Sequence, residues 1–559
     1  MGFKNSSLSW ARSLASVWIL LVSHSLFGQN PHIRNREIVI VSTTDFHGNL
    51  EQAEGLANAI ENLRARYGEK MIYVDAGDMF QGTLEGNLSK GKSVVDLMNA
   101  LQLQVAAIGN HEIDFGPNIL GRVIPEKGDE PLGSLLARSK EAKFKWLSLN
   151  WVWKQKPRAG FDKFKNASGE FTVFPSSTVI EQAENKVCFL GMTTTQTNSR
   201  SFPSLLKGTQ FAEYTQRVLL EAQVLRKNSQ CHFVVLIAHA GISEKTEDSE
   251  INRLLQSLPR KTLDAVIAGH THYASQRVIH GTPVIQSGAL GNVVGALHLY
   301  SDGQVAAFDP FIKVKSEAAN AAITKLLKPY RDEIQTIQIQ TLGNSSQDFL
   351  QNYYKENALT NFVADSVMWM AKKYSTVDFA IIQAGNIRAN IEKGKITYRD
   401  IYKVLPFENN LVIANLTGAE LKKVLSIAIE GKFGRAGFSG GFILIDSSDR
   451  ENEDNKLVNI LDKNKKPISD KKIYKVALND YLTEGGDGQE GVFRSVSKTK
   501  LRIIAGISTR EAAVRFIRDS KFIDPKAFFN AAQPRFIETP SLKIASGQTP
   551  PQSPGQKDF

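Results

Sequence analysis

Five short runs of β-branched and aliphatic residues constrain this chain more than any other feature: Ile38–Val41, Met71–Val74, Val105–Ile108, Phe233–Ala238 and Ala265–Ala268. None alternates apolar with polar residues, so each reads as a strand buried on both faces, as strands covered by helices are. Between the first two, Leu56, Ile60, Leu63 and Tyr67 recur at helical spacing within Gly55–Tyr67 and make one apolar face. From Glu37 to about Asp309 the pattern is therefore layered α/β. Reactive polar residues follow the strands at once: Asp45-Phe46-His47, Gly77-Asp78, Gly109-Asn110-His111-Glu112-Ile113-Asp114, Ala238-His239-Ala240 and Gly269-His270-Thr271-His272. Strand ends are where layered α/β proteins bind ligands.

Singly, these motifs are weak. Gly-Asp is a common turn, and a lone histidine is more often a satisfied core or surface residue than a ligand. Five in order, each after a strand, are a constellation. Imidazole, carboxylate and amide oxygen together suit borderline divalent cations such as Zn²⁺ or Mn²⁺, with no thiolate needed. Two such cations a few ångströms apart need a bridging anion, which a carboxylate such as Asp78 supplies. Such a pair lowers the pKa of bound water and neutralises charge growing on a phosphoryl group. All ten histidines lie at or before His298, so if histidine carries the chemistry, the stretch that ends near Asp309 carries it.

A chain of 559 residues is too long for one ordinary core. The apolar runs divide it into a first α/β block at 34–314, a helical linker at 315–340 and a second α/β block at 341–538. The second block has a helix near Leu359–Tyr374 and strands at Phe379–Ile382 and Leu411–Leu416. Residues 539–559, rich in Pro, Ser, Gly and Gln, read as a disordered tail. At the other end, Lys4 and Arg12 precede an apolar run from Leu14 to Phe27, the pattern of a signal peptide over 1–28. That run is short for a membrane span, so a periplasmic or secreted protein is expected, with no stable span unless the signal stays uncleaved. Cys188 and Cys231 are the only cysteines, and the sequence leaves their state open, two buried free thiols being the plainer reading. A disulfide between neighbouring strands is the alternative in an oxidising compartment. The net charge of +11 fits anionic ligands or a diffusely basic surface, and no dense Lys/Arg block points to a polymeric nucleic acid.

The five motifs resemble those of the calcineurin-like metallophosphoesterases, and more closely those of the bacterial UDP-sugar hydrolase/5′-nucleotidase family. The resemblance implies two divalent metal ions, one held by Asp45, His47, Asp78 and His272 and the other by Asp78, Asn110, His239 and His270. Gln often stands where this chain has His272. It implies that His111 is the catalytic histidine, assisting departure of the alkoxide, with Asp114 orienting its ring.

The second block carries the matching substrate motifs. Gln383-Ala384-Gly385-Asn386-Ile387-Arg388 resembles an Asn-Gly-Gly-Gly-Ile-Arg loop, with three positions replaced. Leu405-Pro406-Phe407 and Asn479-Asp480-Tyr481-Leu482-Thr483-Glu484-Gly485-Gly486-Asp487-Gly488 resemble the other two. By resemblance, Phe407 and Tyr481 sandwich a nucleobase, Arg388 pairs with phosphate, Asp487 accepts from ribose hydroxyls, and Lys355 stands near phosphate. Without the first block, Phe407 reads equally well as core and Gly485–Gly488 as a turn, and Lys355 as a solvated lysine at a helix start. The implied activity is hydrolysis of nucleoside 5′-monophosphates to nucleoside and phosphate by metal-activated water. UDP-sugars and 2′,3′-cyclic nucleotides are alternative substrates, and an inactive secreted binding protein is the alternative of another class.

Overall fold

The computed structural model describes residues 37–539 except 120–124, 126, 159, 203, 243–248, 302–305, 316–318, 430 and 447–455. The signal-peptide reading of 1–28 and the tail from 540 onward lie outside the described residues.

Two sheets stack face to face in the first region. One runs in spatial order Ala307–Phe308, Val293–Tyr300, Glu37–Thr43, Met71–Asp75, Val105–Ala107 and Lys145–Leu147, with Ile312–Lys313 also paired to Val293–Tyr300. The last four of the six are mutually parallel. The other runs Ala274–Ile279, Thr282–Ser287, Ala265–Ala268, Phe233–His239, Asn185–Thr193 and Ser177–Gln182, parallel through its centre.

The unbroken apolar runs explain this stacking. Ile38 and Ile40 face between the sheets with Ile72, Val74, Phe189, Val235 and Ile237. Val39 and Val41, pointing the other way, pack under Leu56, Ile60 and Leu63 of the helix Ala53–Tyr67. Leu190, Val234 and Leu236 likewise face Leu254 and Leu255 of the helix Glu250–Ser257. Burial on both faces makes four layers, helix–sheet–sheet–helix.

Cys188 and Cys231 are joined in a disulfide, which decides between the two states the sequence leaves open. Cys188 lies in the strand Asn185–Thr193, and Cys231 just precedes the adjacent strand Phe233–His239. Their Cα atoms are 5.9 Å apart, within the range a disulfide spans.

The helix Ala321–Gln338 is more than a tether. Ile323 and Leu327 join the first region's core, while Ile334 packs with Leu84 and Tyr402 across the junction. Arg331 pairs with Glu54, and Arg399 and Lys403 pair with Glu51. Beyond it, a five-stranded sheet runs Gly437–Ser439, Phe379–Ile382, Ile473–Asn479, Asn410–Thr417 and Leu501–Ser508. The helices Ala358–Ala371 and Thr509–Ser520 cover one face and Gly418–Ala428 the other.

Candidate active site

Parallel strands end at one edge, and that edge collects the five motifs. Asp45 and His47 follow Glu37–Thr43, Asp78 follows Met71–Asp75, and Asn110 follows Val105–Ala107. His239 closes Phe233–His239, and His270 and His272 follow Ala265–Ala268. Their side chains meet in two groups, Asp45/His47/His272 and Asp78/His239/His270, each with its donor atoms within 4.8 Å of one another. Nε2 of His47 is 3.0 Å from Nε2 of His272, which is 3.4 Å from Asp45 Oδ1. Nε2 of His239 lies 3.0 Å from Asp78 Oδ2, 3.1 Å from Asn110 Oδ1 and 3.2 Å from His270 Nδ1.

These donors fit metal ions. Nδ1 of His47 reaches the Gln81 carbonyl and Nδ1 of His239 the Ala76 carbonyl, both at 2.9 Å. A neutral ring that donates there presents its Nε2 lone pair to the centre. Burial and the nearby His272 hold the His47 ring down at about 3, so it is neutral, as a ligand must be. Burial opposes ionisation of Asp45, but His272 and His239 outweigh it and hold the carboxyl at about 2.

The backbone at these loops is costly. Asp45, His47, Asp78, His270 and His272 all have positive φ, between 51° and 78°. Left-handed conformation at non-glycine residues costs about 1 kcal/mol or more each and persists where the surroundings impose it. Glu112 is one such constraint. Its buried carboxylate accepts from the N–H groups of Asp78 (2.9 Å), Met79 (2.7 Å), Phe80 (3.2 Å) and Gly109 (2.6 Å), tying two ligand loops together. Burial and the neighbouring Asp78 carboxylate push Glu112 up to about 8. A Cβ on Gly109 would lie 2.2 Å from Asp78 Oδ1, so only glycine allows these loops to approach.

His111 stands at the rim, with Nε2 3.9 Å from Asp78 Oδ2 and Nδ1 2.5 Å from Asp114 Oδ2. Burial works against the imidazolium, but the Asp78 and Asp114 carboxylates outweigh it and raise its pKa. The rim opens on a cleft of about 310 Å³ between the two regions. Asn110, His111 and Asp114 line one side and Arg388, Phe407, Tyr481 and Asp487 the other. The Phe407 ring lies 5.8 Å from the His111 ring, and the Arg388 guanidinium 6.0 Å from the Phe407 ring. Tyr481 donates its hydroxyl to Asp487 at 2.9 Å. Burial, opposed by that hydrogen bond, pushes Asp487 up to about 6.

The structure does not bring Lys355 to this cleft. It is exposed in the turn before the helix Ala358–Ala371, where its backbone N–H donates to the Asn352 side chain. Arg200 and Phe202, from the first region, line the cleft instead. Phe202 packs edge-on against Tyr481 at 5.4 Å, and Arg200 donates to the Lys432 carbonyl across the junction. Arg200 ends the short helix Thr197–Arg200 and Phe202 follows it, and neither lies in a motif that marks it as facing a cleft. Glu112 is visible within its motif, but its role depends on which N–H groups the fold aims at it.

The family model for calcineurin-like phosphoesterases matches residues 38–274, and that for the 5′-nucleotidase C-terminal domain matches 336–494. The chain belongs to the calcineurin-like phosphoesterases that carry this C-terminal domain. It is 26% identical over 517 residues to the snake venom 5′-nucleotidase of Naja atra, covering 81% of this chain and 91% of that one. It is 24% identical over 490 residues to the trifunctional nucleotide phosphoesterase protein YfkN of Bacillus subtilis (81% of this chain), but spans only 32% of that relative's length. A 5′-nucleotidase precursor from Thermus thermophilus shares the fold at TM-score 0.74 and 22% identity, over 90% of this chain and 99% of that one. No described helix is long and apolar enough to cross a membrane.

Proposed function

We propose that this chain is a dinuclear-metal 5′-nucleotidase acting in the periplasm or outside the cell, converting nucleoside 5′-monophosphates to nucleoside and phosphate. The observation that carries the reading is the cleft itself. It joins a two-group metal-ligand edge and a histidine–aspartate pair to two aromatic rings, a guanidinium and a carboxylate. Asp45, His47 and His272 would hold one cation, Asn110, His239 and His270 the other, and Asp78 would serve both. Zn²⁺ and Mn²⁺ suit this mixed nitrogen and oxygen set. When bound, such a pair supplies Lewis acidity, strengthening water as a nucleophile and offsetting charge on the phosphoryl group.

The chain's own residues do the rest. Asp114 fixes the His111 ring through Nδ1, which leaves the Nε2 proton facing the cleft for the departing 5′-oxygen. Arg388 offers its planar donors to phosphate oxygens. Phe407 and Tyr481 present faces to the base, and Asp487 accepts from ribose hydroxyls. The disulfide fits an oxidising compartment outside the cytoplasm, as the signal-like N-terminus does.

Phosphate release from AMP, with metal content measured before and after chelation, tests the reading. Activity that is lost on chelation and returns with Mn²⁺ or Zn²⁺ supports it. A chelator-insensitive protein, or one that releases no phosphate from AMP, refutes it.

A further inference from the structure

The loop carrying Phe407 is held from behind by the first turn of a helix outside all the motifs above. In the helix Thr509–Ser520, Thr509 is fully buried and Arg510 is 4% exposed, although both are polar. Nη1 of Arg510 donates to the Leu405 carbonyl at 3.0 Å and the Phe407 carbonyl at 3.4 Å, and Nη2 donates to the Glu408 carboxylate. The guanidinium lies 3.9 Å from the centre of the Tyr402 ring, whose hydroxyl is 3.4 Å from the same Glu408 carboxylate.

Thr509 extends the grip to the second substrate loop. Its N–H donates to the Asn409 carbonyl at 2.9 Å, Asn409 Nδ2 donates to Asn386 Oδ1 at 3.0 Å, and Asn386 Nδ2 donates to Thr509 Oγ1 at 3.3 Å. The Arg388 N–H, two residues on, donates to the Val404 carbonyl at 2.9 Å. The loops bearing Phe407 and Arg388 thus share one support.

A buried guanidinium must satisfy several donors at once, and its planar fork does so only if the acceptors take set directions. Two carbonyls of one short loop, Leu405 and Phe407, are held toward Arg510. That fixes the backbone from which the Phe407 ring enters the cleft, beside His111 and Arg388. We infer that Arg510 is a positioning residue for the substrate. It sets the loop so that Phe407 presents its face to the nucleobase, and it does not itself touch the nucleotide. The inference rests on the reading of Phe407 as a stacking ring.

Steady-state kinetics of the metal-loaded full chain with AMP, and inhibition by free adenosine, separate these claims. Arg510→Met raises the KM for AMP roughly 10-fold, as partial loss of base stacking does, with adenosine inhibition weakening in step. Turnover at saturation stays within about twofold, because the missing interaction is one of uniform binding. Arg510→Lys and Glu408→Gln give smaller rises. Adding Arg510→Met to Phe407→Ala raises KM no further, since both act through the same ring. Arg515→Met is the control: this exposed arginine of the same helix pairs along the helix with Glu511, and its removal leaves both constants unchanged.

Wild-type KM and adenosine inhibition in folded Arg510 variants, with KM raised in Phe407→Ala, overturn the positioning role alone. A fall in turnover with adenosine inhibition unchanged also overturns it, as that marks general loss of structure. If Arg510→Met does not fold, wild-type KM in both Arg510→Lys and Glu408→Gln overturns it. Unchanged KM in Phe407→Ala overturns the stacking reading beneath it.

Discussion

The two sides of the cleft are built by different means. On the metal-ligand side, the residues stand at the ends of two stacked, mainly parallel sheets, and five of them occupy left-handed backbone conformations. Glu112 straps their loops together through four backbone N–H groups. On the substrate side, Asp487 is the one functional residue at positive φ among the described residues, and Arg388 and Phe407 ride on loops hung from a helix start. Ligand atoms must converge to within a few tenths of an ångström, so the fold sustains backbone strain to place them. A stacking face tolerates more, and a loop with a firm support suffices. The difference teaches that chemistry and recognition make separate demands, and separate kinetic constants should report them.

The largest effect is expected at Asp78, the carboxylate proposed to be shared. Asp78→Asn should remove bound metal and abolish measurable phosphate release, because the proposed centre has this one residue serve both metal ions. Metal analysis of the purified variant checks this, and retention of full metal content would contradict the shared role. Next in size is the substrate side. Phe407→Ala should raise the KM for AMP by roughly 5- to 150-fold, the range that 1–3 kcal/mol of base stacking implies, with metal content unchanged. The smallest effect comes from pH. Asp487, raised to about 6, accepts hydrogen bonds best as a carboxylate. Lowering pH through 6 protonates it and should raise the KM for AMP, while above 6 the KM should level off. In Asp487→Asn that dependence should vanish, and its persistence there would place the titration elsewhere.

The metal side was legible in the sequence because local order carries it. Unalternating runs such as Ile38–Val41 specify doubly covered strands, and residues that follow parallel strands gather at one edge wherever the sheets close. Asp45, Asp78, Asn110, His239 and His270 could therefore be grouped before any coordinates. The substrate side was legible only through its motifs, and there Lys355 showed the limit: a cation at a suitable sequence position faces solvent, while Arg200 reaches the cleft from the other region. Arg510 and Glu112 were hidden for a related reason, since their roles consist of backbone groups that a linear sequence does not bring together. The disulfide depended on strand adjacency, which the apolar runs around Cys188 and Cys231 leave open.

The most direct test of the division between chemistry and recognition is one variant measured three ways. For His111→Ala, turnover of AMP, its KM and bound metal should be determined on the same preparation. Turnover is expected to fall by roughly 10²- to 10⁴-fold, as loss of a general acid does, with metal content and KM near wild type. Full turnover in that variant, or loss of its metal, would contradict that expectation.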